Sequence, residues 1–196
     1  EPMGLIQKET PTVLERKTNF DETVRRASTI DEQFQRVYTA GWEGANGAIG
    51  EAHLYAATGN SNLLNTAVKI RPLTNLQNGT WVDDRAWICL AELYWWQFSG
   101  RQKNIWVEDA RMRYDEAKEE GRLSNHEGFW SWYSYSRKQK VDDMIITNSN
   151  MNQMVTVACM LYDATREERF YNDAILVWEG DSKYPGIEKT FYRGEG

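Results

Sequence analysis

Cysteine, proline and basic charge are all scarce in this chain. Two cysteines in 196 residues, Cys89 and Cys159, exclude the disulfide framework that holds small secreted domains together. Both lie in apolar helical runs and are expected to be buried free thiols. Four prolines leave long stretches without a helix breaker. A net charge of −6 excludes a nucleic-acid partner of the usual kind, whose phosphates demand a basic face. No apolar run approaches the roughly 20 residues of a membrane helix, so no membrane span is expected. The two histidines, His53 and His126, are too isolated to anchor a metal site of three or four converging ligands. No glycine-rich phosphate loop, Ser-His-Asp order or Cys-His arrangement stands out. No metal and no cofactor is therefore expected. The chain opens at Glu1 without a methionine or an apolar signal region, the mark of a processed or trimmed chain.

What is abundant is aromatic. Nine tryptophans and ten tyrosines offer flat apolar faces with polar handles, suited equally to a core and to a sugar platform. Acidic, aromatic-rich surfaces suit neutral polar ligands, of which saccharides are the leading example. The length is that of one domain with a substantial core, and Ala, Glu, Arg and Leu favour helix.

Periodicity supports an all-α fold. Residues 1–18, with Pro2 and Pro11, read as an irregular arm. Phe20, Val24, Ala27, Ile30, Phe34 and Val37 then step by three or four, with Asp21 and Glu22 near the positive end of that helix. Further helices are expected over 42–58, 84–99, 105–120, 147–164 and 167–179, with a seventh possible over 61–69. Gly44, Gly47 and Gly50 recur every three residues and are expected to permit close approach of a neighbour. A pattern also recurs: Leu54-Tyr55-Ala56-Ala57-Thr58-Gly59, Leu93-Tyr94 to Ser99-Gly100, and Leu161-Tyr162-Asp163-Ala164-Thr165. Each is a helix end, a polar turn and the start of a returning helix. The copies are irregularly spaced, which disfavours a fixed-period repeat array and suits an α/α hairpin toroid with loops of variable length.

The segment Gly79-Thr80-Trp81-Val82-Asp83-Asp84-Arg85-Ala86-Trp87 carries the chemistry. Two adjacent aspartates open a strongly apolar helix. Such residues commonly cap a helix and complement its dipole. They also meet the needs of glycoside hydrolysis, one ionised carboxylate beside one protonated carboxyl, about 5–5.5 Å apart in the retaining mechanism. The helix end would stabilise the ionised member; its charge, with Trp81 or Trp87 nearby, would raise the pKa of the other. A second pair, Asp142-Asp143, reads as a capping or solvated loop pair. The stretch Phe129-Trp130-Ser131-Trp132-Tyr133-Ser134-Tyr135 packs five aromatics into seven residues within the polar excursion 122–146, and is a candidate sugar-stacking platform.

Asp-Asp-x-Ala-Trp before an apolar helix, in a chain of hairpins marked by Leu-Tyr-x-x-Thr-Gly, resembles glycoside hydrolase family 76. That family comprises endo-α-1,6-mannanases and fungal wall transglycosidases with an (α/α)6 barrel. Two later stretches are similar to family motifs. Glu127-Gly128-Phe129-Trp130-Ser131-Trp132 corresponds to a Gly-Gly-Ile-Trp-Trp-Asn-like motif, with Glu127 and Ser131 as departures. Ile146-Thr147-Asn148 matches an Ile-Thr-Asn motif that introduces a helix. The resemblance implies Asp83 as nucleophile and Asp84 as acid/base, substrate contacts from Trp81, Trp130, Trp132, Tyr133 and Asn148, an α-mannan-like partner, and a secreted or cell-surface location. It also implies that 1–196 is a single toroid domain or the N-terminal part of one, and an incomplete toroid, since six or seven helices are about half of those in a closed six-hairpin barrel. The alternatives are a non-catalytic carbohydrate-binding or surface protein on the same scaffold, a helical-repeat interaction module, and another α/α-barrel sugar enzyme with different acid/base residues.

Overall fold

The computed structural model describes residues 13–37, 41–70, 82–101, 104–123, 126–130, 148–180 and 186–188. They fall in two units, Glu1–Val37 and Tyr38–Gly196. The first unit contains helix α1, Val13–Val37. Residues 13–18, expected in an irregular arm, are thus helical. Asp21 and Glu22 consequently lie beyond the first two turns, too far from the N-terminus to be held by its partial charge. Glu22 instead pairs with Arg25 and Arg26 at 2.8 and 2.7 Å, the spacing at which helix side chains meet.

The second unit holds α2 (Trp42–Thr58), α3 (Ser61–Ile70), α4 (Val82–Phe98), α5 (Asn104–Gly121), β1 (Arg122–Leu123), β2 (His126–Trp130), α6 (Asn148–Thr165) and α7 (Glu168–Glu179). The all-α fold expected from periodicity is what forms. The strands make a two-stranded antiparallel ribbon, with Arg122 opposite Trp130, Leu123 opposite His126 and an irregularity between. It occupies the start of the stretch expected as an aromatic-rich excursion.

The recurring sequence pattern is a recurring turn, atom for atom. Thr58 Oγ1 donates to the Leu54 carbonyl at 2.7 Å and accepts the Asn60 amide at 3.2 Å. Thr165 Oγ1 does the same with the Leu161 carbonyl at 2.8 Å and the Glu167 amide at 3.2 Å. The next residue is left-handed in both turns, Gly59 at φ 67° and Arg166 at φ 61°. Its amide closes the helix on Tyr55 in one turn and Tyr162 in the other, at 2.7 and 2.8 Å. Glycine reaches that conformation at no steric cost. Arg166 is held there while its guanidinium bonds Asp163 at 2.9 Å and lies 5.6 Å from the Tyr162 ring. The third copy is longer and uses two left-handed residues, Gly100 and Arg101.

Helix α2 packs on α3 and α4, α4 on α5 and α6, and α6 on α7. Side-chain pairing gives the directions. Tyr55 meets Trp95, His53 meets Tyr94, and His53 also meets Phe98. Those partners stand 40, 41 and 45 positions apart. Nearer the helix starts, Ala45 and Ala48 of α2 share one buried cluster with Ile88 and Ala91 of α4, so positions rise together along the two helices and they run parallel. Between α4 and α5 the pairs are Arg85–Glu116, Cys89–Ala110 and Glu92–Arg113; Arg85 at the start of α4 meets Glu116 near the end of α5, and only a short connection joins Phe98 to Asn104, so the two helices run antiparallel. Arg101, just after α4, bridges to Asp163 near the end of α6 at 2.9 Å, which sets those C-terminal ends together. Helices α2, α4 and α6 therefore form one parallel layer.

The core fills with Ile88, Leu93, Trp95, Tyr114, Met154, Leu161 and Phe170, all less than 2 % exposed. Two expectations fail here. Cys89 is buried, but Cys159 is exposed, because Met154, Val157, Ala158 and Leu161 already make the inward stripe of α6 and Cys159 falls off it. Gly44 is buried where α2 meets its neighbours, whereas a Cβ at Gly50 would meet nothing within 4 Å, so close packing does not require that glycine.

Candidate active site

Helix α4 begins at Val82, with Asp83 and Asp84 in its first turn. Val82, Arg85, Ala86 and Cys89 are buried, so the helix turns that face inward and leaves Asp83 and Asp84 half-buried beside it. Asp83 Oδ1 accepts the backbone amide of Asp84 at 3.1 Å. That bond satisfies one of the amides a helix start leaves without an intrahelical partner. The remaining first-turn dipoles favour negative charge at this point.

Immediately inside the pair lies a buried polar seam that was not expected. Arg85 is 4 % exposed and pairs with Glu116 of α5. Two turns on, Glu92 accepts from Arg113 at 3.1 Å with both side chains buried. Cys89 sits between these pairs. Its burial, and then the charge of Glu92, push the thiol well above its ordinary pKa, against the opposing pull of Arg113 and Arg85. The signal was available: Arg85, Cys89 and Glu92 repeat at helical spacing on the face otherwise given to apolar residues.

The parallel layer puts the beginnings of α2, α4 and α6 at one end of the unit. Asn148 is the first residue of α6 and therefore lies at the same end as Asp83 and Asp84. Because α5 returns antiparallel to α4, its last residue Gly121 and strand β1 also reach that end. Trp130 closes β2 opposite Arg122; the placement of its side chain, like that of Asn148, lies outside what is described. Trp81, Trp132 and Tyr133 lie outside the described residues, as do Asp142 and Asp143. His53 is an exposed helix residue against Tyr94 and Phe98, each ring 5.0 Å away.

At the opposite end a depression of about 380 Å³ lies between α4, α5 and α6, lined in part by Trp96, Asn104, Arg111 and Thr165. Ion pairs edge it, Arg101–Asp163 and Arg111–Glu167 at 2.9 and 3.1 Å, and the Arg101 guanidinium lies 4.9 Å from the Trp96 ring. Both arginines at its edge are thus already paired within the chain.

Among the described residues, no group of three or more His, Cys, Asp or Glu side chains is placed to hold a metal ion, and no helix is long and apolar enough to cross a membrane. No family model, no curated protein and no solved structure matches the chain.

Proposed function

We propose that the chain is a retaining glycoside hydrolase or transglycosidase acting on α-1,6-linked mannose polymers, built as part of an α/α toroid whose inner wall is α2, α4 and α6. The observation that carries this reading is the parallel layer. It brings the Asp83-Asp84 pair and the start of α6, behind the Ile146-Thr147-Asn148 motif, to one end of the helices. Toroid enzymes need that arrangement, because their sites are built from the loops at one end of the inner helices.

In this reading the Asp83 carboxylate attacks the anomeric carbon while the Asp84 carboxyl gives its proton to the departing glycosidic oxygen. A glycosyl ester on Asp83 results. Asp84, now a carboxylate, takes a proton from the incoming water or sugar hydroxyl, whose oxygen displaces Asp83 and restores both groups. The Asp84 amide bond to Asp83 Oδ1 holds the nucleophile at the start of α4. Trp81, Trp130, Trp132, Tyr133 and Asn148 are the proposed substrate contacts, and the compartment is secreted or cell-surface.

Asparagine keeps an oxygen that can accept the Asp84 amide, so Asp83→Asn should fold normally by circular dichroism. It should abolish turnover of every α-1,6-mannoside. Asp84→Asn should cripple natural substrates while sparing those with activated leaving groups. Unchanged turnover in both variants, or a wild-type chain that cleaves no α-mannan, overturns the assignment. The same amide bond also favours a second reading, in which the pair merely fixes the helix start of a carbohydrate-binding protein; saccharide affinity without any turnover would then be observed.

A further inference from the structure

We infer that Trp42 stacks on a pyranose ring of the substrate beside the carboxylate pair, an assignment that rests on the glycosidase reading and deepens it. Trp42 is the first residue of α2. Contacts between α2 and α4 join positions 40 to 45 apart. Carried to the start of α2, that offset sets Trp42 level with the first turn of α4, the turn that bears Asp83 and Asp84.

Its exposure is the second observation. Trp95, Trp96 and Trp106 are 2 %, 6 % and 3 % exposed, and Trp42 is 46 % exposed. Among the described side chains it is the one tryptophan in the exposed class. Close to half of this large apolar residue stays in water and forgoes the free energy of burial. A pyranose presents a face of C–H groups that an indole can cover, leaving the sugar hydroxyls free for polar partners. Glu43, also exposed, supplies an acceptor one residue away.

The backbone beneath the ring is fixed. Gly41 enters the helix at φ 101°, a conformation that side-chain-bearing residues rarely adopt. Its carbonyl accepts the Ala45 amide at 3.0 Å. Asn46 Nδ2 donates to the Trp42 carbonyl, also at 3.0 Å. A pinned first turn lowers the ordering cost of presenting an aromatic face to a ligand.

The test is kinetics on α-1,6-mannooligosaccharides with the whole chain. Trp42→Ala should raise KM about tenfold and leave kcat within about twofold, the size expected for one lost aromatic contact. Trp42→Phe, with a smaller ring, should fall between. Thermal melting should be unchanged in both, because the residue is exposed. A wild-type chain that turns over substrate while Trp42→Ala keeps its KM overturns the inference and leaves the glycosidase reading standing. A Trp42→Ala variant that melts early and loses kcat instead assigns Trp42 to packing and also overturns it. A wild-type chain with neither turnover nor saccharide affinity sinks the glycosidase reading and this inference together.

Discussion

Glu22 of α1 and Glu92 of α4 each pair with arginine, and the two pairings differ in nearly everything else. Glu22 meets Arg25 and Arg26 within its own helix, with side chains 40 %, 69 % and 73 % exposed. Glu92 meets Arg113 across a helix hairpin, 21 positions away, with side chains 4 % and 8 % exposed. In water, ion pairs are screened and offset by side-chain entropy. Inside the hairpin the charges have lost their hydration, and their attraction in that setting offsets part of the loss. The same chemistry is thus nearly optional on α1 and obligatory between α4 and α5.

The largest effect expected from this contrast is at the buried pair. Arg113→Ala should destabilise the chain by about 3–5 kcal/mol, because it removes one partner of a buried ion pair. The double variant Glu92→Leu with Arg113→Met should recover most of that loss, since removing both charges removes the desolvation cost as well. Urea unfolding measures both. A loss below about 1 kcal/mol in Arg113→Ala would show that the interior pair behaves like the surface pair.

A smaller effect is expected at Tyr114, which is fully buried and donates to Asp173 at 2.9 Å. Lys118 reaches the same carboxylate at 2.7 Å. Tyr114→Phe should cost about 1–2 kcal/mol for a carboxylate that loses one of its donors. Burial, reinforced by the negative charge of Asp173, pushes the phenol far above its ordinary pKa. It stays neutral, so the cost should be the same at pH 6 and pH 9. A cost that disappears at alkaline pH would mean the phenol titrates and lies closer to solvent.

The smallest effect belongs to Glu22. Hydrogen bonds from Arg25, then Arg26, lower its pKa from 4.5 to about 2. A carboxylate depressed in the folded state stabilises that state above its unfolded pKa, and the contribution fades as pH falls through the folded value. The window is therefore pH 4.5 down to about 2. NMR titration of the full chain should place the Glu22 midpoint near the lower limit, and Arg25→Gln should move it upward. An unchanged midpoint in Arg25→Gln would show that this neighbour does not hold the charge.

How much of this was legible in the sequence divides along the same line. Helix α2 begins and ends where apolar spacing and Gly59 placed it. The threonine turns at Thr58 and Thr165 were visible as a repeated pattern, because their hydrogen bonds span at most four residues. The aspartate pair was visible for the same reason, since Asp83 and Asp84 are neighbours in the chain. Misreadings came where a local signal was overridden. The prolines of the arm did not prevent α1 from starting at Val13, and Cys159 shares an apolar run whose inward stripe passes it by.

By itself, then, the sequence determined the helices, their turns and the adjacent aspartates at the start of α4, because all of these are set by near neighbours along the chain. Only the tertiary structure decided that α2, α4 and α6 run parallel and that Arg85, Glu92 and Arg113 are buried together. Those facts depend on the offset between helices. Offset is fixed by side chains such as Tyr55 and Trp95, 40 positions apart, whose fit is made in space and leaves no period in the sequence.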